Sequence, residues 1–255
     1  MTLAAPNSQY NVMSPDSLAA RIVTYQRRRM YEKFISLSGV TGDDTILDVG
    51  VTSDQTFESS NYLEAWYPNK RAITAAGKDD ASFVRRLYPG MRFVFADGLD
   101  LPFADRSFDV VHSSAVLEHV GRAANQRRFI GECCRVARRA VFMTTPNRWF
   151  PVEFHTTLPL VHWLPKPTFR SILRGMGSDF LADEQNLNLM TAGELLAAAR
   201  AFGSFSSEVF TVSLAGWPSN LLLSMHRRPE FSYTRKIAAS EVPVQTGLDG
   251  VEFRP

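Results

Sequence analysis

The stretch after position 143 concentrates side chains able to hold a small polar molecule. Thr144-Thr-Pro-Asn-Arg-Trp-Phe-Pro-Val-Glu-Phe-His155 interleaves polar tips with aromatic rings, which is the composition of a small-molecule pocket. Asn147, Arg148, Glu153 and His155 are therefore the candidate substrate-binding residues. Glu153 and His155 stand two apart, so in extended backbone they share a face. Such a pair could ligate a metal, but no third ligand is evident and no metal is expected. His119, just beyond the apolar run 108–112, is the candidate general base, because imidazole is the side chain whose proton affinity suits neutral pH. His112 lies inside that run and reads as structural. Cys133 and Cys134 are adjacent, so they cannot staple a fold and offer no CxxC spacing for zinc. A reducing compartment is expected from them.

These residues need a scaffold that brings distant segments together. Five short apolar runs read as strands: 45–49, 71–75, 92–96, 108–112 and 140–144. Helical patterns separate them. Leu18, Ile22, Tyr25, Met30, Phe34 and Leu37 follow helical spacing over 15–38, with Gly39 placed as a C-cap. A helix is expected over 60–66. Another carries Phe83, Val84 and Leu87, with Asp79 or Asp80 as its N-cap. A further helix over 122–139 buries Phe129, Ile130, Cys133 and Val136. Thr191 and Glu194 form a capping box that opens a helix over 195–202. Runs 207–214 and 219–225 then flank a Gly216-Trp-Pro218 turn and read as a hairpin. This alternation predicts an α/β fold: a doubly wound, mostly parallel seven-stranded sheet closed by a C-terminal antiparallel hairpin. Ligands in such sheets sit beyond the carboxyl ends of the strands. Attention falls on 48–54, 76–80, 97–99, 112–115 and 145–149.

Those segments carry a resemblance. Asp48-Val-Gly50, then Ala96-Asp-Gly-Leu-Asp-Leu-Pro-Phe103, then Leu101-Pro-Phe-Ala-Asp-Arg-Ser-Phe-Asp-Val-Val-His-Ser-Ser-Ala-Val-Leu-Glu-His-Val120 resemble the class I S-adenosylmethionine-dependent methyltransferases, in particular the branch acting on small molecules. The resemblance covers about residues 40–146 and the closing hairpin. It implies S-adenosyl-L-methionine as cofactor. It further implies that Asp48, Gly50 and Val51 form the turn beside the methionine part, with Gly77 after strand two. Asp97 would accept the adenine amino group beside the backbone of Gly98 and Leu99. Ser113 and Ser114 would face the sulfonium and the substrate cavity. Two positions depart from the family pattern. After Asp48 only Gly50 remains of the usual alternate glycines, with Thr52 and Asp54 in the other places. Strand two ends in Gly77 where the family carries an acid for the ribose hydroxyls.

Composition bounds the rest. The chain has 255 residues with a net charge of +2, too balanced for bulk nucleic-acid binding to lead. No apolar run is long enough to span a bilayer, and no secretory leader is visible; a cytoplasmic location is expected. Residues 121–174 nevertheless hold ten Arg/Lys against two acids. A solvated helix face accounts for most of 122–139; an anionic acceptor or a membrane surface is the sharper reading. Residues 146–190, with five prolines and several aromatics, read as an insertion serving as a lid or substrate segment. The expected organisation is an N-terminal helical segment 1–38, a methyltransferase domain 39–228 containing that insertion, and a C-terminal tail 229–255. The leading expectation is methyl transfer to a small molecule. The alternatives are a catalytically inactive binding or scaffold protein of the same fold, and a peripheral membrane enzyme touching the bilayer through 149–169. The oligomeric state is open.

Overall fold

The computed structural model describes residues 17–229 other than Thr56, so the expectations for 1–15 and for most of the tail lie outside the described residues. Helix α1 (Leu18–Ser38) starts where the Ser17 side chain accepts the Ala20 N–H and stops at Gly39, whose φ is 60°. Strand β1 (Ile46–Val49) is buried along its whole length, as a central parallel strand covered on both faces must be. A 3-10 turn (Glu58–Asn61) leads into the short α2 (Tyr62–Trp66). Then follow β2 (Ile73–Gly77), α3 (Val84–Leu87), β3 (Arg92–Phe95), β4 (Phe108–Ser114), α4 (Ala123–Val136) and β5 (Ala137–Pro146). After an insertion come α7 (Ala192–Arg200), β6 (Phe205–Leu214) and β7 (Trp217–Arg227).

The seven strands lie in the order β3-β2-β1-β4-β5-β7-β6. β1 to β5 are parallel, and β7 runs antiparallel to both β5 and β6. The chain reverses direction across the sheet between β1 and β4, which opens a crevice at their carboxyl ends. One face packs Phe129, Ile130 and Cys133 of α4 and Leu195 and Ala199 of α7 against the sheet. The other packs Met30 and Phe34 of α1 and Tyr62 and Leu63 of α2. Helix α1 therefore shares the sheet's own core, and Phe34, fully buried, meets His112 and Phe142 edge-on.

Several boundaries differ from the sequence reading. β2 begins two residues later than expected because a 3-10 turn (Lys70–Ala72) precedes it, with Lys70 Nζ donating to the carbonyls of Glu64, Ala65 and Tyr67. Neither Asp79 nor Asp80 caps α3: Asp80 instead accepts the Ser82 N–H within a turn. α4 ends at Val136 rather than 139, because Arg138 and Arg139 reach Asp109 and Asp44 from extended backbone. The hairpin turn is tighter than expected, Ala215-Gly216, both at positive φ.

The insertion contains a 3-10 turn (Val161–Trp163) and helices α5 (Lys166–Gly175) and α6 (Asp179–Ala182). Phe169, Leu173, Ala182, Leu187 and Leu189 form its own small core. Its two ends meet. Asn147 bridges Met190, and the Arg148 N–H donates to the Met190 carbonyl. Asn188 pins it to the turn after β4 by accepting from Gln126 and donating to the Gly121 carbonyl.

Candidate active site

A cleft of about 540 Å³ opens at the carboxyl ends of β1, β2, β3 and β4. Gly50 forms its base. Its φ of 105° lies where side chains are strained. Its N–H donates to the Ala76 carbonyl, and a Cβ placed there would come within 2.0 Å of Val116 Cγ2. Gly77 is required by closeness alone, since a Cβ would lie 2.6 Å from the Val51 carbonyl oxygen. The loop after Gly50, short of glycines, is held by side chains. Thr52 exchanges two hydrogen bonds with Asn61, through its N–H to Oδ1 and from Nδ2 to its carbonyl. Thr52 Oγ1 accepts the Asp54 N–H, and Asp54 accepts from Ser60. Polar side chains thus fix a path that glycine would have left to the backbone.

Of the residues expected to bind the cofactor, Gly50, Val51, Gly77, Asp97, Gly98, Leu99 and Ser114 line this cleft. Asp97 Oδ1 accepts the Leu99 N–H at 2.9 Å, and Oδ2 pairs with Lys78 at 3.0 Å. Burial opposes its ionisation, but the Leu99 N–H and Lys78 outweigh burial and hold its carboxyl below the usual range. Lys78 stands just past the end of β2, where the family carries its ribose acid nearby; Asp79 also lines the cleft. Asp48 and Ser113 are corrections: both lie beneath the cleft. Ser113 donates to the Val49 carbonyl, and Asp48 pairs with His112 Nδ1. His112 Nε2 in turn meets the Tyr62 hydroxyl at 3.0 Å. With Nδ1–H donated to Asp48, the hydroxyl must be the donor. Burial pushes Asp48 up to about 7 and His112 down to about 4. Glu64 is wholly buried beside Asp48, and burial with the neighbouring Asp48 charge raises its pKa strongly.

The opposite end of the cleft is built by His119 and His155. His119 closes a 3-10 turn (Leu117–His119) and donates from Nδ1 to the Asn186 carbonyl at 2.7 Å. Burial, helped by nearby His155, drives its pKa to about 3, so the ring is neutral. His155 donates from Nδ1 to Glu153 Oε1 at 2.7 Å, and the two rings meet edge-to-face at 4.8 Å. Burial disfavours the Glu153 carboxylate, yet His155 and the N–H groups of His155 and Thr156 overcome it and bring it to about 2. Burial likewise disfavours charge on His155, and Glu153 outweighs it, raising that pKa.

Three substrate-side expectations are corrected. Glu153 lies behind His155 and does not line the cleft; its oxygens are taken by the turn. Asn147 donates to the Pro218 carbonyl and accepts the Trp149 N–H. Arg148 donates to the carbonyls of His162 and Leu164 and lies over the Trp149 ring. Both build the base of the insertion. Arg27, Lys78 and Gln185 also line the cleft, and none of them was named as a site residue from the sequence. Arg27 donates to Ser59, and burial lowers its pKa. Arg27 lies in the basic run Gln26-Arg27-Arg28-Arg29 of α1, on a helix and not after a strand.

A sheet in this strand order, with a cleft at the β1/β4 reversal, defines the class I methyltransferase fold. Residues 48–143 match the family model described as a methyltransferase domain. A Mycobacterium tuberculosis protein named "Probable S-adenosylmethionine-dependent methyltransferase" is 37% identical over 82 residues, which is 31% of this chain and 29% of that protein. The chain thus spans less than a third of that curated relative's length. Among solved structures, magnesium protoporphyrin IX methyltransferase from Synechocystis PCC 6803, with bound S-adenosylhomocysteine, superposes with a TM-score of 0.54 at 12% identity, covering 87% of this chain and 92% of that one. The 1,6-didemethyltoxoflavin-N1-methyltransferase of Burkholderia thailandensis gives 0.54 at 14% identity, covering 90% and 93%. These two share the fold.

Proposed function

We propose that this protein transfers the methyl group of S-adenosylmethionine to a small-molecule acceptor bound between the sheet and the insertion. The observation that carries this reading is the donor set along one cleft: a cation at one wall, an acid beside backbone N–H groups at another, and imidazoles at the far end. The chemistry of these groups fits the cofactor. Arg27 would hold the amino-acid carboxylate, Asp97 with the Leu99 backbone the adenine edge, and Ser114 and Val116 the reacting end. The cofactor, when bound, supplies an electrophilic methyl group on a cationic sulfur. The chain's own work is then alignment of the acceptor and exclusion of water. His119, neutral and fixed by Asn186, offers Nε2 to the acceptor's proton and orients its lone pair. The insertion closes the acceptor side with His155 and Gln185. Small-molecule binding in the Burkholderia neighbour, whose structure holds 1,6-didemethyltoxoflavin, supports the acceptor class.

The domain partition that we favour keeps 39–228 as the catalytic unit with the insertion inside it. A cytoplasmic location is supported by two buried free thiols, Cys133 and Cys134; none of the described helices is long and apolar enough to cross a membrane. Calorimetry with S-adenosylhomocysteine tests the reading. A micromolar Kd is expected, weakened about 10-fold or more by Asp97→Ala, since a charge-assisted hydrogen bond contributes about 1.5–3 kcal/mol. No heat of binding at millimolar ligand would refute it.

A further inference from the structure

We propose that Glu118, His119 and His155 form a binding site for one first-row transition-metal dication of the Zn²⁺ type, at the acceptor end of the cleft. Among the described residues, one ligand atom from each of these three side chains lies within 4.8 Å of the other two. Two imidazoles and one carboxylate are a donor set that such ions favour, with further positions left open for water or substrate.

The orientation of each side chain is the second observation. His119 gives its Nδ1–H to the Asn186 carbonyl, and its Nε2 is turned toward Glu118, 3.9 Å from Oε1. His155 gives its Nδ1–H to the Glu153 carboxylate at 2.7 Å. A carbonyl or carboxylate behind each histidine is how proteins fix the tautomer and direction of metal-binding imidazoles. Glu118 is completely buried. Its Oε2 accepts from Thr145, while Oε1, directed at the histidines, has no hydrogen-bond partner among the described residues. A fully buried carboxylate oxygen left in that state is costly unless something compensates it. A cation between the three residues supplies that compensation. Tetrahedral ligation at about 2.0–2.2 Å brings ligand atoms to about 3.4 Å from one another, so the side chains must close by little more than about 1 Å.

His119 and His155 line the cleft, so an open coordination position faces the space assigned to the acceptor. The role of the ion, unlike its binding, rests on the methyl-transfer reading. It would bind a hydroxyl oxygen of the acceptor and lower that hydroxyl's pKa, releasing the proton to solvent and leaving an oxygen nucleophile. In the metal-bound protein His119 is then a ligand, and the acceptor's ionisation passes from the imidazole to the cation. The acceptor class narrows to small molecules bearing an ionisable hydroxyl.

The test uses the full chain, purified without a histidine tag and stripped with chelator. Co²⁺ is titrated and followed by visible absorption, and Zn²⁺ retained after dialysis is counted by elemental analysis. One equivalent per chain is expected, with d–d bands of a low-coordinate site. Binding should weaken by about 100-fold or more in His155→Ala and Glu118→Gln, and by about 10–100-fold in Glu153→Gln, which acts only through His155. His226→Ala, whose imidazole bonds the Leu37 carbonyl far from this cluster, should leave binding unchanged. Circular dichroism checks folding, and His155→Gln replaces His155→Ala should the latter unfold. Wild-type protein retaining less than about 0.1 equivalent at about 100 µM metal, or undiminished binding in a folded His155 variant, would overturn the site. S-adenosylhomocysteine affinity is measured separately on stripped protein. Affinity kept while metal fails to bind removes the metal site alone; metal binding kept while that affinity is absent removes the methyl-transfer reading and leaves the site standing.

Discussion

Replacing Gly50 with alanine forces two costs on one position. The backbone there has φ 105°, and holding a non-glycine residue in such a region costs about 1–3 kcal/mol. The new methyl group would also sit 2.0 Å from Val116 Cγ2, far inside contact distance. Relieving that overlap requires the turn after β4 to move, and overpacking of this kind costs about 1–3 kcal/mol. The sum is about 2–6 kcal/mol. For a chain of this size each kcal/mol lowers Tm by about 2–4 °C, so the variant should melt at least about 4 °C lower. The displaced turn carries Val116 and, three residues on, His119, so S-adenosylhomocysteine affinity should fall as well. A double-mutant cycle with Val116→Ala separates the two costs. Removing the valine methyls relieves the overlap and leaves the backbone strain, which predicts a favourable coupling of at least about 1 kcal/mol. Thermal denaturation of the four proteins measures it. Additive effects, or a Gly50→Ala protein that melts with the wild type, would refute the close approach of the two loops.

Arg27→Gln should weaken S-adenosylhomocysteine by about 10–100-fold while leaving adenosine, which lacks the carboxylate, unaffected in calorimetry; equal losses for both would place the arginine elsewhere. Glu64→Gln should change how stability depends on pH. A carboxyl raised well above its ordinary value binds its proton more tightly in the folded state, so the wild type loses stability as pH rises above about 4.5 towards that raised value. The amide cannot lose a proton, so the variant gains on the wild type by up to about 1.4 kcal/mol per pH unit; urea unfolding at pH 6 and pH 8 should show the gap widening, and a constant gap would contradict the shift. Phe34→Ala removes a fully buried ring and should cost about 3–5 kcal/mol in the same assay; a loss below about 1 kcal/mol would mean that α1 does not complete the sheet's core.

Local signals gave the strands and the caps at Gly39 and Thr191, because local physics decides them, but not the cap expected at Asp79 or Asp80. Thr191 and Glu194 form both bonds of the capping box, and Gly39 terminates α1 at positive φ as its position in the pattern implied. Boundaries slipped where a distant partner decides. Arg138 and Arg139 look helical after α4 but are drawn into extended backbone by Asp109 and Asp44, partners remote in sequence. The site divides the same way. Gly50 and Asp97 stand directly after strands, where the topology rule points. Arg27 reaches the cleft from α1 and Gln185 from the insertion, and no spacing in the sequence links either to β1. Asn61 is the clearest case. It compensates for missing glycines through two hydrogen bonds to Thr52, and only the folded path of the loop brings them together. Glu118 and His119 are neighbours in sequence, yet their relation to His155 depends on where the insertion returns.

That return has a consequence for how specificity can change. The excursion leaves and rejoins the sheet at one point, the bridge between Asn147 and Met190, and it carries its own small core. Chain can be added to it, trimmed from it or exchanged with little disturbance to the strands, because its two stems already touch. The groups proposed to hold the donor come from the strand ends and from α1, and His155 and Gln185 come from the excursion. On the proposed reading, new acceptors can be recruited by rewriting that one stretch, while the strand ends and helix that would hold the common reagent stay untouched.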